Sequence, residues 1–141
     1  MEIVKQKITI FIEALETLEE SIEIFNKYEN LFIKNPTKNN RQLFLAMRDS
    51  MIQRFEYCTD LFWKVLKIYL ENVEKVTIEL SSPRGIIRDA VKARLLTEHE
   101  GDDCMIMIES RNKTSHIYHE QTAESIALHN TRLLCINERY S

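Results

Sequence analysis

An arginine, a histidine and a tyrosine lie within eight residues towards the C-terminal end of the sequence. Arg111 is a permanent cation, His116 titrates near neutral pH, and Tyr118 is a phenol. Arginine's planar fork can bind two phosphate oxygens, and histidine can transfer a proton near neutral pH. If the three side chains form one pocket and the ligand is an RNA phosphate, these residue types suit metal-independent cleavage, in which Arg111 stabilises the charge that builds on phosphorus.

Arg111 and His116 cannot share one face of an uninterrupted helix. Five residues apart, they would differ in direction by about 140° at the standard helical repeat. The residues between them are Asn, Lys, Thr and Ser, and three of these side chains compete with a helix for backbone hydrogen bonds. We therefore expect a turn or a loosened helix end at residues 112–115, which lets both side chains converge on one pocket.

A single imidazole cannot act as base and acid in the same concerted step. A twofold dimer with the motif at its axis would supply a second arginine and a second histidine to a shared cleft. The spacing alone is a weak signal, because an arginine followed by a histidine five residues later also arises by chance. Tyr118 could equally be a buried aromatic side chain whose hydroxyl caps a helix end. His119 is either a second acid–base group or the start of the last helix.

The composition favours an all-α protein. The chain has 141 residues, enough for one hydrophobic core, and contains only two glycines and two prolines. We expect a single helical domain over residues 1–141. Nineteen basic and 22 acidic residues give a net charge of −3, which provides no overall attraction for nucleic acid. Any RNA contact must therefore be local.

Cysteine usage and the N-terminal residues indicate a cytoplasmic protein. Cys58, Cys104 and Cys135 are odd in number, far apart and set in apolar segments, which is typical of reduced core thiols. Residues 1–7 are too charged for a signal peptide, and no apolar run is long enough to cross a bilayer. No histidine or cysteine spacing resembles a metal site. We expect no metal, no other cofactor and no membrane contact.

Apolar periodicity predicts an antiparallel up-and-down bundle of four main helices and a short one. The first helix has apolar residues at intervals of four and three over residues 4–32 and ends before Pro36. The second helix runs from about residue 40 to about residue 75, with an asparagine as a possible cap. Its apolar face contains two lines of residues that recur every seven positions. One line is Phe44, Met51, Cys58 and Val65, and the other is Phe55, Phe62 and Tyr69.

Three further boundaries follow from capping signals. Ser82 and Pro83 are typical of a helix start, so a short third helix begins there. Gly101 predicts a helix stop, and Asp102 after it predicts the start of a fourth helix that runs into Arg111. A last helix is expected from about residue 120 to about residue 138. Arg48 interrupts the second apolar line, and we expect it to be exposed, although it could line a cleft.

Three stretches follow one another along the chain: QRFEYCTDLFWK at 53–64, SPR at 82–84 and RNKTSHIY at 111–118. In this order they resemble the HEPN superfamily, and more narrowly the small proteins called nucleotidyltransferase substrate-binding proteins, over nearly the whole chain. The resemblance implies a helical up-and-down bundle that forms a homodimer. It also implies a partner, a minimal nucleotidyltransferase encoded beside it, which acts as the antitoxin of a toxin–antitoxin pair.

The resemblance implies roles for individual residues. Family members of this kind cleave RNA without a metal through the arginine and histidine of the third stretch, here Arg111 and His116. Asn112 occupies the position of an assisting polar residue, and Tyr118 that of a tyrosine that accepts AMP from the nucleotidyltransferase. The added phosphodiester anion would pair with Arg111 and exclude RNA, which silences the toxin.

Other functions remain open. Some relatives are described as non-catalytic subunits that present substrate to the nucleotidyltransferase, and this is the alternative function. A purely structural helical adaptor is a third. Arg54 and Asp60 in the first stretch lie away from the main apolar stripe, so either could face a dimer partner, a nucleotidyltransferase or solvent.

Overall fold

Four α-helices make up most of residues 2–113, which are the residues that the computed structural model describes. They are α1, Glu2–Lys34; α2, Lys38–Asn72; α3, Pro83–Lys92; and α4, Glu98–Lys113. The predicted all-α helical bundle is confirmed. None of these four helices is long and apolar enough to cross a membrane. The last helix, predicted at residues 120–138, lies outside the described residues.

α1 and α2 form an antiparallel hairpin. The ring of Phe11, in the first half of α1, lies 5.8 Å from that of Phe62 in the second half of α2. The ring of Phe25, later in α1, lies 5.3 Å from that of Phe44 near the start of α2. Since later residues of α1 meet earlier residues of α2, the two helices run in opposite directions.

The seam between α1 and α2 is the main hydrophobic core of the described residues. Both apolar lines predicted on α2 contribute to it, because Met51, Cys58, Phe55 and Phe62 are buried and Phe44, Val65 and Tyr69 pack against them. Full burial of each large apolar side chain stabilises the fold by about 1.5–3 kcal/mol. The facing residues of α1 are also buried; they are Phe11, Ala14, Leu15, Leu18, Ile22 and Phe25.

The N-terminal caps of α2 and α3 are formed by hydroxyl side chains. Thr37 caps α2, where its Oγ1 accepts a hydrogen bond from the backbone N–H of Asn40 at 3.1 Å. The predicted asparagine cap is therefore wrong, because Thr37 already places an acceptor at the third amide of the helix. Ser82 caps α3 by accepting from the N–H of Gly85 at 3.1 Å, as predicted.

The helix boundary predicted at Gly101 is wrong. α4 begins at Glu98, and Gly101 is buried inside it. Thr97 Oγ1 accepts from the N–H of Glu100 at 3.1 Å, and Glu100 Oε1 accepts from the N–H of Thr97 at 3.0 Å. This reciprocal pair is a capping box. A Cβ at position 101 would lie 2.6 Å from Cγ2 of Val91 in α3, so close packing of α3 on α4 explains the glycine.

Candidate functional site

Arg111 joins the last turn of α4 to the middle of α2. Its Nε and Nη2 donate hydrogen bonds to Oδ1 and Oδ2 of Asp60, each at 3.2 Å. Its Nη1 lies 3.4 Å from Oε2 of Glu56. The two parallel bonds to Asp60 use the fork of the guanidinium, which fixes its plane as well as its position. We call these three residues the Arg111 clamp.

Two buried neighbours on α2 place Glu56 and Asp60 on its surface beside α4. Phe55 and Thr59 are buried in the core, so the residue after each points roughly 100° away from it. Glu56 and Asp60, four residues apart, therefore lie on one face of the helix. On α4 the buried Met107 and Ile108 anchor the helix one turn before Arg111. The clamp thus depends on core packing of both helices.

The clamp is partly exposed to solvent. The side chains of Arg111, Glu56 and Asp60 are 33%, 28% and 42% exposed, respectively. Hydrogen bonding of Arg111 to the accepting Asp60 carboxylate raises the pKa of Arg111 above its usual range; partial burial opposes this shift, and the charges of Asp60 and Glu56 add to it. Arg111 is therefore a cation at every physiological pH. Two carboxylates against one guanidinium leave the clamp with a net negative charge.

Only part of the predicted site lies in the described residues. Arg111 and Asn112 are both in the last turn of α4, and Asn112 is exposed. The turn predicted at residues 112–115 does not begin at Asn112, because α4 continues through Lys113. His116 and Tyr118 lie outside the described residues. Their convergence with Arg111 stays a prediction.

The sequence alone predicts no role for Glu56 and leaves that of Asp60 open. The available signal was a pair of carboxylates four residues apart in the first of the three stretches. Such pairs are common on solvated helix faces, so only the position of α4 identifies their partner. Arg54, from the same stretch, donates from Nη1 to the carbonyl oxygen of Thr17 in α1 at 2.9 Å. Its contact is therefore within the chain.

Arg48 differs from its predicted surroundings. Arg48 is partly buried, with 22% of its side chain exposed, and pairs with Asp49 at 3.2 Å, so the expectation of an exposed side chain is wrong. His99 lies in the first turn of α4. Its Nε2 is 3.5 Å from Oδ2 of Asp103. Among residues 2–113, no cluster of three His, Cys, Asp or Glu side chains could hold a metal ion.

Two of the three cysteines are buried thiols. Burial raises the pKa of Cys58 to about 12, and the Cys58 thiol lies 3.2 Å from the carbonyl oxygen of Ala14, to which it donates. Burial, with the charges of Asp103 and Glu100, likewise raises the pKa of Cys104 to about 12. Both thiols are protonated at neutral pH and are poor nucleophiles. They belong to the core and not to a reactive site.

Comparisons with known proteins identify a family and similar solved structures. The family described as nucleotidyltransferase substrate binding protein like matches residues 6–132. A crystal structure of a protein from Thermus thermophilus is 30% identical, with a TM-score of 0.66, over 92% of this chain and 97% of that one. None of the curated proteins matches the chain.

Proposed function

Because the chain belongs to the nucleotidyltransferase substrate binding protein-like family, we propose that it acts beside a nucleotidyltransferase as a metal-independent endoribonuclease toxin. In this proposal Arg111 binds the scissile phosphate of RNA, Asn112 assists, and His116 transfers protons. The nucleotidyltransferase silences the toxin by transferring AMP from ATP to the hydroxyl of Tyr118, with release of pyrophosphate. The resemblance of the stretch at residues 111–118 supports these roles.

The observation that carries the proposal is the Arg111 clamp. A long, part-exposed arginine side chain that rotates freely loses conformational entropy when it binds a phosphate. This loss weakens its binding to the phosphate in the transition state. Asp60 already holds the guanidinium through two hydrogen bonds. A cation that is oriented before the substrate arrives stabilises developing charge without reorganisation. We therefore assign Asp60 and Glu56 as positioning residues for Arg111.

The proposed reaction requires two proton-transfer groups. One must remove the proton of the 2′-hydroxyl, and another must protonate the leaving 5′-oxygen. We propose a cytoplasmic homodimer in which His116 of each copy performs one of these roles near the twofold axis. No step in this scheme uses a metal ion.

The alternative is a non-catalytic subunit that presents substrate to the nucleotidyltransferase. The charge of the clamp favours this alternative, because Glu56 and Asp60 together outweigh the charge of Arg111 and weaken its attraction for an RNA phosphate. Such a site suits a cationic surface on a protein partner better than it suits an anion. The two functions differ in whether the purified chain cleaves RNA by itself.

A cleavage assay in excess chelator tests the ribonuclease. The purified chain is incubated with RNA and EDTA beside two variants, His116→Ala and His129→Ala. We expect cleavage by the unaltered chain and by His129→Ala, whose histidine lies outside the motif, and none by His116→Ala. If all three proteins leave RNA intact, the substrate-presenting function replaces the ribonuclease.

Intact mass measurement tests the modification. After incubation with the nucleotidyltransferase and ATP, we expect the mass to rise by one adenylyl group. Tyr118→Phe should abolish this rise, whereas Tyr57→Phe, which alters a tyrosine that is 53% exposed on α2, should not. An adenylyl group that still appears on Tyr118→Phe would show that another residue is the acceptor.

A further inference from the structure

A trough of about 360 Å³ lies along the C-terminal half of α2, where Lys7 of α1 contributes to its wall. Its apolar surface comes from Leu61, Val65 and Ile68 together with the indole ring of Trp63. Lys7, Lys64 and Lys67 also line the trough, and Glu71 is the one acidic residue among the described residues that line it. The trough therefore combines an aromatic side chain with three lysine side chains.

A second hollow, of about 480 Å³, continues the first. Lys67 and Glu71 line both, and Lys75 adds another cation to the second. The two hollows together contain four lysines and one glutamate, in a chain whose net charge is −3. The only ion pair of the described residues within them is between Lys67 and Glu71, whose charged atoms are 4.0 Å apart. This local positive charge selects anions.

The position of the trough relates it to the Arg111 clamp. At the helical rise, Lys64 lies about 6 Å and Lys67 about 10 Å further along the axis of α2 than Asp60. Asp60 binds Arg111, so Lys64 and Lys67 follow the Arg111 clamp along this side of the helix. An extended nucleic-acid strand has phosphates along one edge and bases along the other, and a strand that reaches Arg111 can continue into the trough.

We propose that this trough is a nucleotide-binding subsite, in which a base stacks on Trp63 and the adjoining phosphate pairs with Lys64 and Lys67. Stacking on an aromatic side chain beside a cationic groove is the general way in which proteins bind single-stranded nucleic acid. The choice of RNA as the source of the nucleotide rests on the proposed function. Binding in the trough does not require that the chain cleaves RNA.

Trp63 reports directly on the proposed subsite, because it is the only tryptophan of the chain. Its fluorescence is measured while AMP or a single-stranded oligoadenylate is added in EDTA to the His116→Ala protein, so that the RNA stays intact. We expect quenching by the oligonucleotide. Quenching by AMP at similar concentrations would identify a free nucleotide as the ligand, and quenching by the oligonucleotide alone would identify a strand. Unchanged fluorescence with both overturns the proposal.

A matched pair of charge reversals tests the lysines. Lys64→Glu alters the trough, and Lys38→Glu makes the same change at an exposed position in the first turn of the same helix. Binding is followed by the anisotropy of a labelled oligoadenylate at several salt concentrations. We expect Lys64→Glu to weaken binding about tenfold and to reduce the salt dependence by about one counterion. Equal affinities for the two variants overturn the proposal.

The outcomes separate this proposal from the ribonuclease. If the chain does not cleave RNA but the oligonucleotide quenches Trp63 and Lys64→Glu weakens binding, the subsite stands and the ribonuclease fails. If the chain cleaves RNA and neither Trp63 nor Lys64 responds, the subsite fails and the ribonuclease stands. If the fluorescence of Trp63 changes when purified nucleotidyltransferase is added but not when AMP or the oligonucleotide is added, the trough is a protein-binding surface. The subsite proposal is then overturned.

Discussion

Two faces of α2 differ in polarity and in exposure to solvent. The face towards α1 buries Phe55 and Phe62 in an apolar seam, whereas the face towards α4 holds the Arg111 clamp, whose three side chains are 28–42% exposed. Buried apolar area stabilises a fold strongly, and a part-exposed ion pair contributes about 1 kcal/mol or less. The same helix therefore supports the fold mainly through one face and carries part-exposed charged groups on the other.

Phe55→Ala should have the largest effect on stability. Phe55 is 0% exposed at the centre of the seam, and loss of its ring leaves a cavity. We expect the free energy of unfolding to fall by about 3–5 kcal/mol, measured by urea titration. Tyr57→Ala, on the exposed side of the same helix, should change it by less than about 0.5 kcal/mol. Similar losses in both variants would contradict the division between the two faces.

Gly101→Ala tests the close approach of α3 and α4. Alanine favours a helix by about 1 kcal/mol over glycine, but its Cβ would overlap the stiff side chain of Val91. We expect a net loss of about 1–2 kcal/mol in the free energy of unfolding. Asp102→Ala, at the exposed neighbouring position, should have little effect.

A second background shows whether Val91 causes this loss. In Val91→Ala the space beside position 101 is open, so Gly101→Ala should there be neutral or stabilising. If Gly101→Ala stabilises the protein even with Val91 present, the packing explanation for the glycine is wrong, and thermal unfolding of the four proteins would show it.

The two faces of α2 also differ in how well sequence predicts them. The seam follows from apolar residues repeated every three or four positions, a pattern that depends only on neighbours along the chain. The start of α4 differs from the predicted one although its signal is local, because Gly101 resembles a helix stop whereas Thr97 and Glu100 form the capping box that starts the helix. The rule that glycine ends helices competes here with its use in close helix packing.

The Arg111 clamp could not be predicted in this way. Arg111 and Asp60 are 51 residues apart, and their contact depends on how α4 lies on α2. Charged residues on a helix face carry no periodic signal that identifies their partner. The resemblance at residues 111–118 identified Arg111 as a candidate, but not the two carboxylates that hold it. Pairing of charges between helices is therefore the information that the structure adds.

Asp60→Asn should have the smallest effect on stability and a specific effect on function. The pair is partly exposed, so solvent screening limits the loss in the free energy of unfolding to about 1 kcal/mol or less. Removal of a negative charge beside Arg111 should tighten RNA binding. Loss of the paired hydrogen bonds from Arg111 to Asp60 should slow cleavage by about tenfold to a hundredfold, because Asp60 no longer holds the guanidinium in position.

If Asp60→Asn binds RNA more tightly but cleaves it more slowly, Asp60 positions Arg111 and does not merely stabilise the fold. Asp49→Asn is the matched control, since Asp49 pairs with Arg48 on the same helix away from the clamp; it should leave affinity, rate and stability unchanged. Weaker RNA binding together with easier unfolding of Asp60→Asn would make Asp60 a structural residue. Unchanged cleavage would show that Arg111 does not need the Asp60 carboxylate to orient it, and Asp60 would then not be a positioning residue.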